Sequence, residues 1–152
     1  DTIPRRTTTP CAATVQLDHG SELDVTFWLL PDLHRERGVT PMRVLLEEDR
    51  RFLPIGLADG GSCLLSRDAL VTVSIEVDGP GCEPSAAEGA ALDLVTLHLV
   101  SGAEVSGVLT TTALEGHGRM SDVFNLAGRF VPVGVGSKLV FVATSRIARV
   151  SF

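Results

Sequence analysis

Apolar residues recur at every second position over Leu23, Val25, Phe27 and Leu29, and Glu22, Asp24 and Thr26 alternate with the first three of them. A period of two marks a strand with one buried face. Val95, Leu97 and Leu99, separated by Thr96 and His98, repeat the pattern in the second half of the chain. Glycine punctuates these segments. Gly20 and Gly102 fall where a tight turn would join a first strand to a second, and Asp59-Gly60-Gly61 and Gly134 to Gly136 fall where a later hairpin would turn. Only two stretches have helical spacing: Met120 to Leu126, about two turns, and more weakly Asp32 to Arg37. The predicted order in each half is strand, turn, long strand, variable loop, strand, hairpin, strand, short turn around Ser-Arg, strand. Pro54 and Pro132 lie inside predicted strands, so the side lacking an N–H must face a sheet edge or a bulge.

The two halves look alike because they repeat. Arg51-Phe-Leu-Pro-Ile-Gly-Leu57 returns 78 residues later as Arg129-Phe-Val-Pro-Val-Gly-Val135, with the three changed positions aliphatic in both. Val15–Gly20 matches Leu97–Gly102 at a distance of 82, and Ser66-Arg67 matches Ser145-Arg146 at 79. Three landmarks in one order at nearly constant spacing predict an internal duplication. Two prolines and three glycines between Asp78 and Gly89 mark the joint. The expected organisation is a first repeat over 12–79, a linker over 80–91 and a second repeat over 92–152. Five short strands in so few residues predict an all-β fold of two tandem five-stranded small barrels, with one short helix in the second. A unit of that size buries only about 60% of its unfolded surface, so each repeat is expected to pack on the other or on further chains.

Composition narrows the class. The 152 residues carry 13 Lys+Arg against 19 Asp+Glu, a net charge of −6, with 44% apolar residues, 5% aromatics and no Tyr. These figures exclude a disordered tail, a collagen-like repeat and a disulfide-dense scaffold. No apolar run reaches the eighteen residues of a membrane helix. Three cysteines, Cys11, Cys63 and Cys82, with no C-x-x-C spacing, form neither a disulfide framework nor a zinc site. They read as reduced thiols of a cytoplasmic protein. Asp1 in place of Met predicts that an upstream segment was either cleaved or left out. The basic residues are scattered, and all but Lys138 are arginine.

Val95-x-Leu97-x-x-x-x-Gly102-x-x-x-x-Gly107-x-Leu109 resembles the opening signature of Sm-like and other SH3-type small barrels, in which a strand, a tight turn and a glycine-bent second strand begin the fold. The pattern continues through Arg119-Met-Ser-Asp-Val-Phe-Asn125, Phe130-Val-x-Val133 and Ser145-Arg-Ile147, and is similar to a group of uncharacterised bacterial small-barrel domains. The resemblance spans residues 92–152 and, more loosely, 14–77. It implies a strongly bent barrel that extends its sheet edge to edge. The first half has Pro41-Met-Arg-Val-Leu-Leu in place of the Ser-Asp-x-x-Asn element, and neither half has, near its last hairpin, the Arg-Gly pair that serves RNA binding in Sm proteins.

Candidate chemistry is sparse. Gly134-Val-Gly-Ser-Lys138 lacks the strand-before, helix-after setting of a phosphate loop and reads as a hairpin turn. His19, His34, His98 and His117 have no ligand spacing, so no metal or cofactor is expected. Ser121 or Asp122 reads as a helix cap, Asn125 as a loop partner, and no Gly-x-Ser-x-Gly elbow offers a nucleophile. Glu47-Glu-Asp-Arg-Arg51 reads as a solvated charge cluster, with Arg51 and Arg129 pairing to local carboxylates. Trp28 and Leu30, on the face opposite Phe27, and His98, on the polar side of its strand, are the interface candidates. Arg35, Arg37 and Arg119 in the variable loops are the candidate anion-binding residues. The expected function is a non-enzymatic scaffold or protein-interaction module that acts through barrel edges and self-associates. The alternatives are a single-stranded nucleic-acid binder of Sm-like type and a sensor of a small anion. Nucleic-acid binding needs basic grooves and stacking aromatics, which a chain of this charge without Tyr supplies poorly.

Overall fold

In the computed structural model, which describes residues 8–29, 41–76, 92–110, 120–125 and 127–152, the alternating segments become strands. Residues 9–76 form β1 (Thr9–Leu17), β2 (Glu22–Leu29), β3 (Phe52–Leu57), β4 (Ser62–Ser66) and β5 (Leu70–Glu76). Residues 92–151 form β6 (Leu92–Leu99), β7 (Glu104–Thr110), β8 (Phe130–Val135), β9 (Lys138–Ala143) and β10 (Ile147–Ser151). A single 3-10 turn links β4 to β5 at Arg67–Ala69 and β9 to β10 at Thr144–Arg146. Helix α1 (Pro41–Glu47) precedes β3, and α2 (Met120–Asn125) precedes β8.

All ten strands pair antiparallel in one open sheet, in the order β10-β6-β7-β8-β9-β5-β1-β2-β3-β4. The expected two tandem small barrels are not confirmed: the sheet is not closed, runs unbroken across the middle through β5–β9, and has β4 and β10 as its edges. The expected linker at 80–91 lies outside the described residues.

Both halves nevertheless use one local plan. Val15 lies opposite Leu23, and 82 residues later Leu97 lies opposite Val105. Thr26 opposite Gly56 becomes Val108 opposite Gly134. The register between β1 and β5 shifts once between Gln16 and Leu17, and that between β6 and β10 shifts once between Ile147 and Arg149, at matching positions. The turns share their bonds: Gly20 N–H donates to the Leu17 carbonyl and Gly102 N–H to that of Leu99, each at 2.9 Å. Both glycines have φ above +90°, a conformation that L side chains rarely adopt. One landmark moves. Arg67 N–H bonds the Arg51 carbonyl as Thr144 N–H bonds that of Arg129, so Arg67 is the counterpart of Thr144, and Ser-Arg against Ser-Arg is out of step by two.

The first half also contains a helix, where only the second was expected to have one. Met42, Leu45 and Leu46 bury one face of α1 in the core, and Pro41 begins it, where a missing N–H costs nothing. The Asp32 to Arg37 stretch lies outside the described residues. The prolines obey the edge rule: pairing of β2 with β3 stops at Ile55 and that of β7 with β8 at Gly134, so Pro54 and Pro132 fall just beyond the ladders they would have broken. Gly107 is required by a close approach, since a Cβ there would overlap the Gly134 carbonyl oxygen and lie 2.7 Å from Val133 Cγ1.

Candidate interaction edges

The joint between the halves determines which surfaces are covered. Strand β9 has both faces buried. Leu139, Phe141 and Ala143 pack into the core built by β1, β2, β5 and α1, whereas Val140 and Val142 pack into the core of their own half. Phe130, at the start of β8, joins the first core as well. A carboxylate clasps this joint from the end of α1: Glu47 accepts the Arg129 N–H at 2.8 Å and the Phe130 N–H at 3.1 Å. Asp49 lies 3.2 Å from Arg129. The acidic cluster is therefore more than a solvated turn, and the partners of Arg129 are remote in sequence rather than local.

Counterparts at the outer edge have no such cover. Phe52 matches Phe130, and Leu64, opposite Pro54, matches Phe141, opposite Pro132. Phe130 and Phe141 are 2% and 0% exposed; Phe52 and Leu64 are 51% and 66% exposed. The same positions of the same plan are core in one half and surface in the other, because the first half receives a neighbour and gives none. At the opposite edge, Ile147 and Val150 of β10 and Met120 and Phe124 of α2 are only partly buried against the second core. They occupy the places that Leu70, Val73, Met42 and Leu46 hold where β9 docks.

Comparison with family models, curated proteins and solved structures finds no match. The reading of the edges rests on the chain itself.

Among the residues singled out from sequence, Trp28 is 46% exposed, on the opposite side of β2 from Phe27, with its ring over Gly56. It is remote from the joint, which β5 and β9 make instead. His98 lies beside β10, with Nε2 2.8 Å from Ser151 Oγ and Nδ1 3.2 Å from Glu104, so it braces the edge strand. Leu30, Arg35, Arg37 and Arg119 lie outside the described residues. The arginines that do converge are Arg67, Arg129 and Arg146, around a cavity between the halves. Each stood near a repeat landmark, but their meeting depends on the β5–β9 pairing, which has no local signal. Gly136, with φ +61°, turns the β8–β9 hairpin, and strands flank it on both sides. Among the described residues no group of three or more His, Cys, Asp or Glu could hold a metal, and no helix is long and apolar enough to cross a membrane.

Proposed function

We propose that the protein is a non-catalytic scaffold built from two copies of one Sm-like unit, and that it self-associates by pairing β4 of one molecule with β10 of the next. The observation that carries this reading is the contrast between Phe130 and Phe141, buried at the internal joint, and Phe52 and Leu64, exposed at the outer edge. Recurrent register, turns and shifted pairing between the halves support the duplication. An unpaired strand edge is a template for another chain, and here the template for its partner already exists within the molecule.

Transferring the β5–β9 register, in which Thr72 faces Val142 and Val73 faces Phe141, places Arg149 opposite Leu65, Val150 opposite Leu64 and Ser151 opposite Cys63. The clasp transfers too. Asn125 ends α2 five residues before Phe130, as Glu47 ends α1 five residues before Phe52. Asn125 is one methylene shorter than Glu47, which leaves room for the Cβ that Arg50 carries where the internal joint has Gly128.

Covering Phe52 and Leu64 removes roughly 200 Å² of apolar surface from water, worth about 5 kcal/mol. A few ladder hydrogen bonds add about 1 kcal/mol each. Association itself costs at least about 4 kcal/mol, so these terms give a contact no tighter than about millimolar.

Light scattering carried into the millimolar range tests the reading. The native chain rises in mass with concentration, Leu64→Lys stays at the mass of one chain, and Leu94→Lys, on β6 beyond the last residue that β10 pairs with, behaves as native. In a Cys82→Ser background, Ser151→Cys oxidised with the exposed Cys63 gives a ladder of covalent multimers. A native chain that keeps the mass of one chain throughout rules out the proposal.

A further inference from the structure

Arg67 opens the turn between β4 and β5, and its side chain is folded inward: the residue is 6% exposed. Its Nε and Nη1 are buried and have no hydrogen-bond partner. Lys, Glu, Arg and Asp are almost never fully buried unless paired. A guanidinium also cannot relieve the cost by losing its proton, as a buried lysine can. The charge therefore calls for a counter-charge that the described residues do not supply.

The space beside Arg67 answers that need. A cavity of about 390 Å³ separates the first turn from the second half, and Arg67, Arg129 and Arg146 all line it, with the Thr144 and Ser145 positions between them. Among the described residues Asp68 is the only acidic one in its wall. The two outer arginines are held from outside. Arg129 Nη2 meets Asp49 at 3.2 Å, and that aspartate side chain is fully solvated. Arg146 Nη2 meets Asp18 at 3.3 Å and the Asp68 carbonyl at 3.2 Å. Solvated ion pairs of this kind are weak and easily exchanged, and each engages one nitrogen of a guanidinium that carries five N–H donors. Two orienting contacts at the rim and one unpaired cation at the base make a built receptor for an anion with several oxygens.

We propose that this cavity is an oxyanion site that takes the phosphoryl group of a small phosphorylated molecule, with Arg67 as its buried anchor and Arg129 and Arg146 closing on it from the second half. Planar forks pair with phosphate oxygens through two parallel bonds, and three of them match a tetrahedral dianion better than a planar carboxylate. The volume exceeds that of a bare phosphate and falls within the range of small-molecule sites. The site lies within one chain, so it goes beyond the edge pairing and does not depend on it. Because its walls come from both halves, an occupant also braces the β5–β9 joint.

Thermal unfolding of dilute, single-chain protein tests this with inorganic phosphate, a sugar phosphate and a nucleoside monophosphate, each against sodium chloride at matched ionic strength. Binding to the folded state alone raises the midpoint. The expected result is a rise with phosphate that chloride does not give, and a larger one with a phosphorylated organic molecule if the rest of the cavity is used. A response to inorganic phosphate alone assigns the site to the free ion. Arg146→Gln weakens the response about tenfold, as loss of a charge-assisted contact does, whereas Arg149→Gln on β10 leaves it unchanged. Arg67→Met abolishes the response and, in buffer without phosphate, unfolds no earlier than the native chain, since an uncompensated charge has been removed. If Arg67→Met does not fold, the Arg146→Gln comparison decides. A native chain that responds to phosphate no more than to chloride, or an Arg146→Gln chain that responds as native, overturns the proposal.

Discussion

Removing the Glu47 carboxylate tests how firmly the two halves are clasped. Its oxygens accept the N–H groups of Arg129 and Phe130, 82 and 83 residues away, and the second of these bonds is partly buried. Hydrogen bonds to a charged group contribute about 1.5–3 kcal/mol each where water is excluded, and less where it is not. The Arg129 bond is exposed and the Phe130 bond is not, so Glu47→Ala is expected to cost about 2–3 kcal/mol in all. For a chain of this length each kcal/mol lowers the melting midpoint by about 2–4 °C, which gives a drop of about 5–10 °C. The glycine beside the clasp supplies a control. A Cβ on Gly128 would overlap Glu47 Oε1, so Gly128→Ala destabilises chiefly by displacing that carboxylate. In the Glu47→Ala background there is nothing left to displace. Calorimetry on the native chain, both single variants and the double variant should therefore show strong non-additivity, the double falling close to Glu47→Ala alone. Full additivity, or a Glu47→Ala midpoint within a degree of native, would refute the view that this carboxylate joins the halves.

Two further outcomes follow from the packing. Phe141→Ala removes a fully buried ring and should cost about 3–5 kcal/mol by urea denaturation, while Leu64→Ala at the matching edge position should change dilute-chain stability by less than about 0.5 kcal/mol. Gly107→Ala forces a methyl against the Gly134 carbonyl and Val133 and should cost about 1–3 kcal/mol, read by the same denaturation.

Much of the fold could be read from the chain because its signals are local. Val25, Phe27 and Leu29 alternate in sequence and are all buried, and Gly20, Gly60, Gly102 and Gly136 turn where they were expected to, each with positive φ. Helix α1 was missed although Pro41, followed by Met42, Leu45 and Leu46, has a helix-starting proline and the spacing of a buried helical face. Another neglected signal was Leu139-Val-Phe-Val-Ala143, an unbroken apolar run. Such a run belongs to a strand covered on both faces, and it pointed to β9 as the strand shared by two cores. The open sheet and the meeting of three arginines were not legible, because both depend on one long-range pairing, β5 with β9. That pairing brings together residues 64 to 70 apart, from Ile75 opposite Leu139 to Thr72 opposite Val142.

That pairing differs from any the outer edges could make in one respect: it cannot be diluted away. Both surfaces of the inner seam belong to one chain, so its closing is intramolecular and does not depend on how many molecules are present. A contact between separate molecules is governed instead by how crowded they are. Under the proposed edge pairing the protein would carry one permanent seam and two conditional ones of the same design, and its length as a polymer would be set by abundance alone.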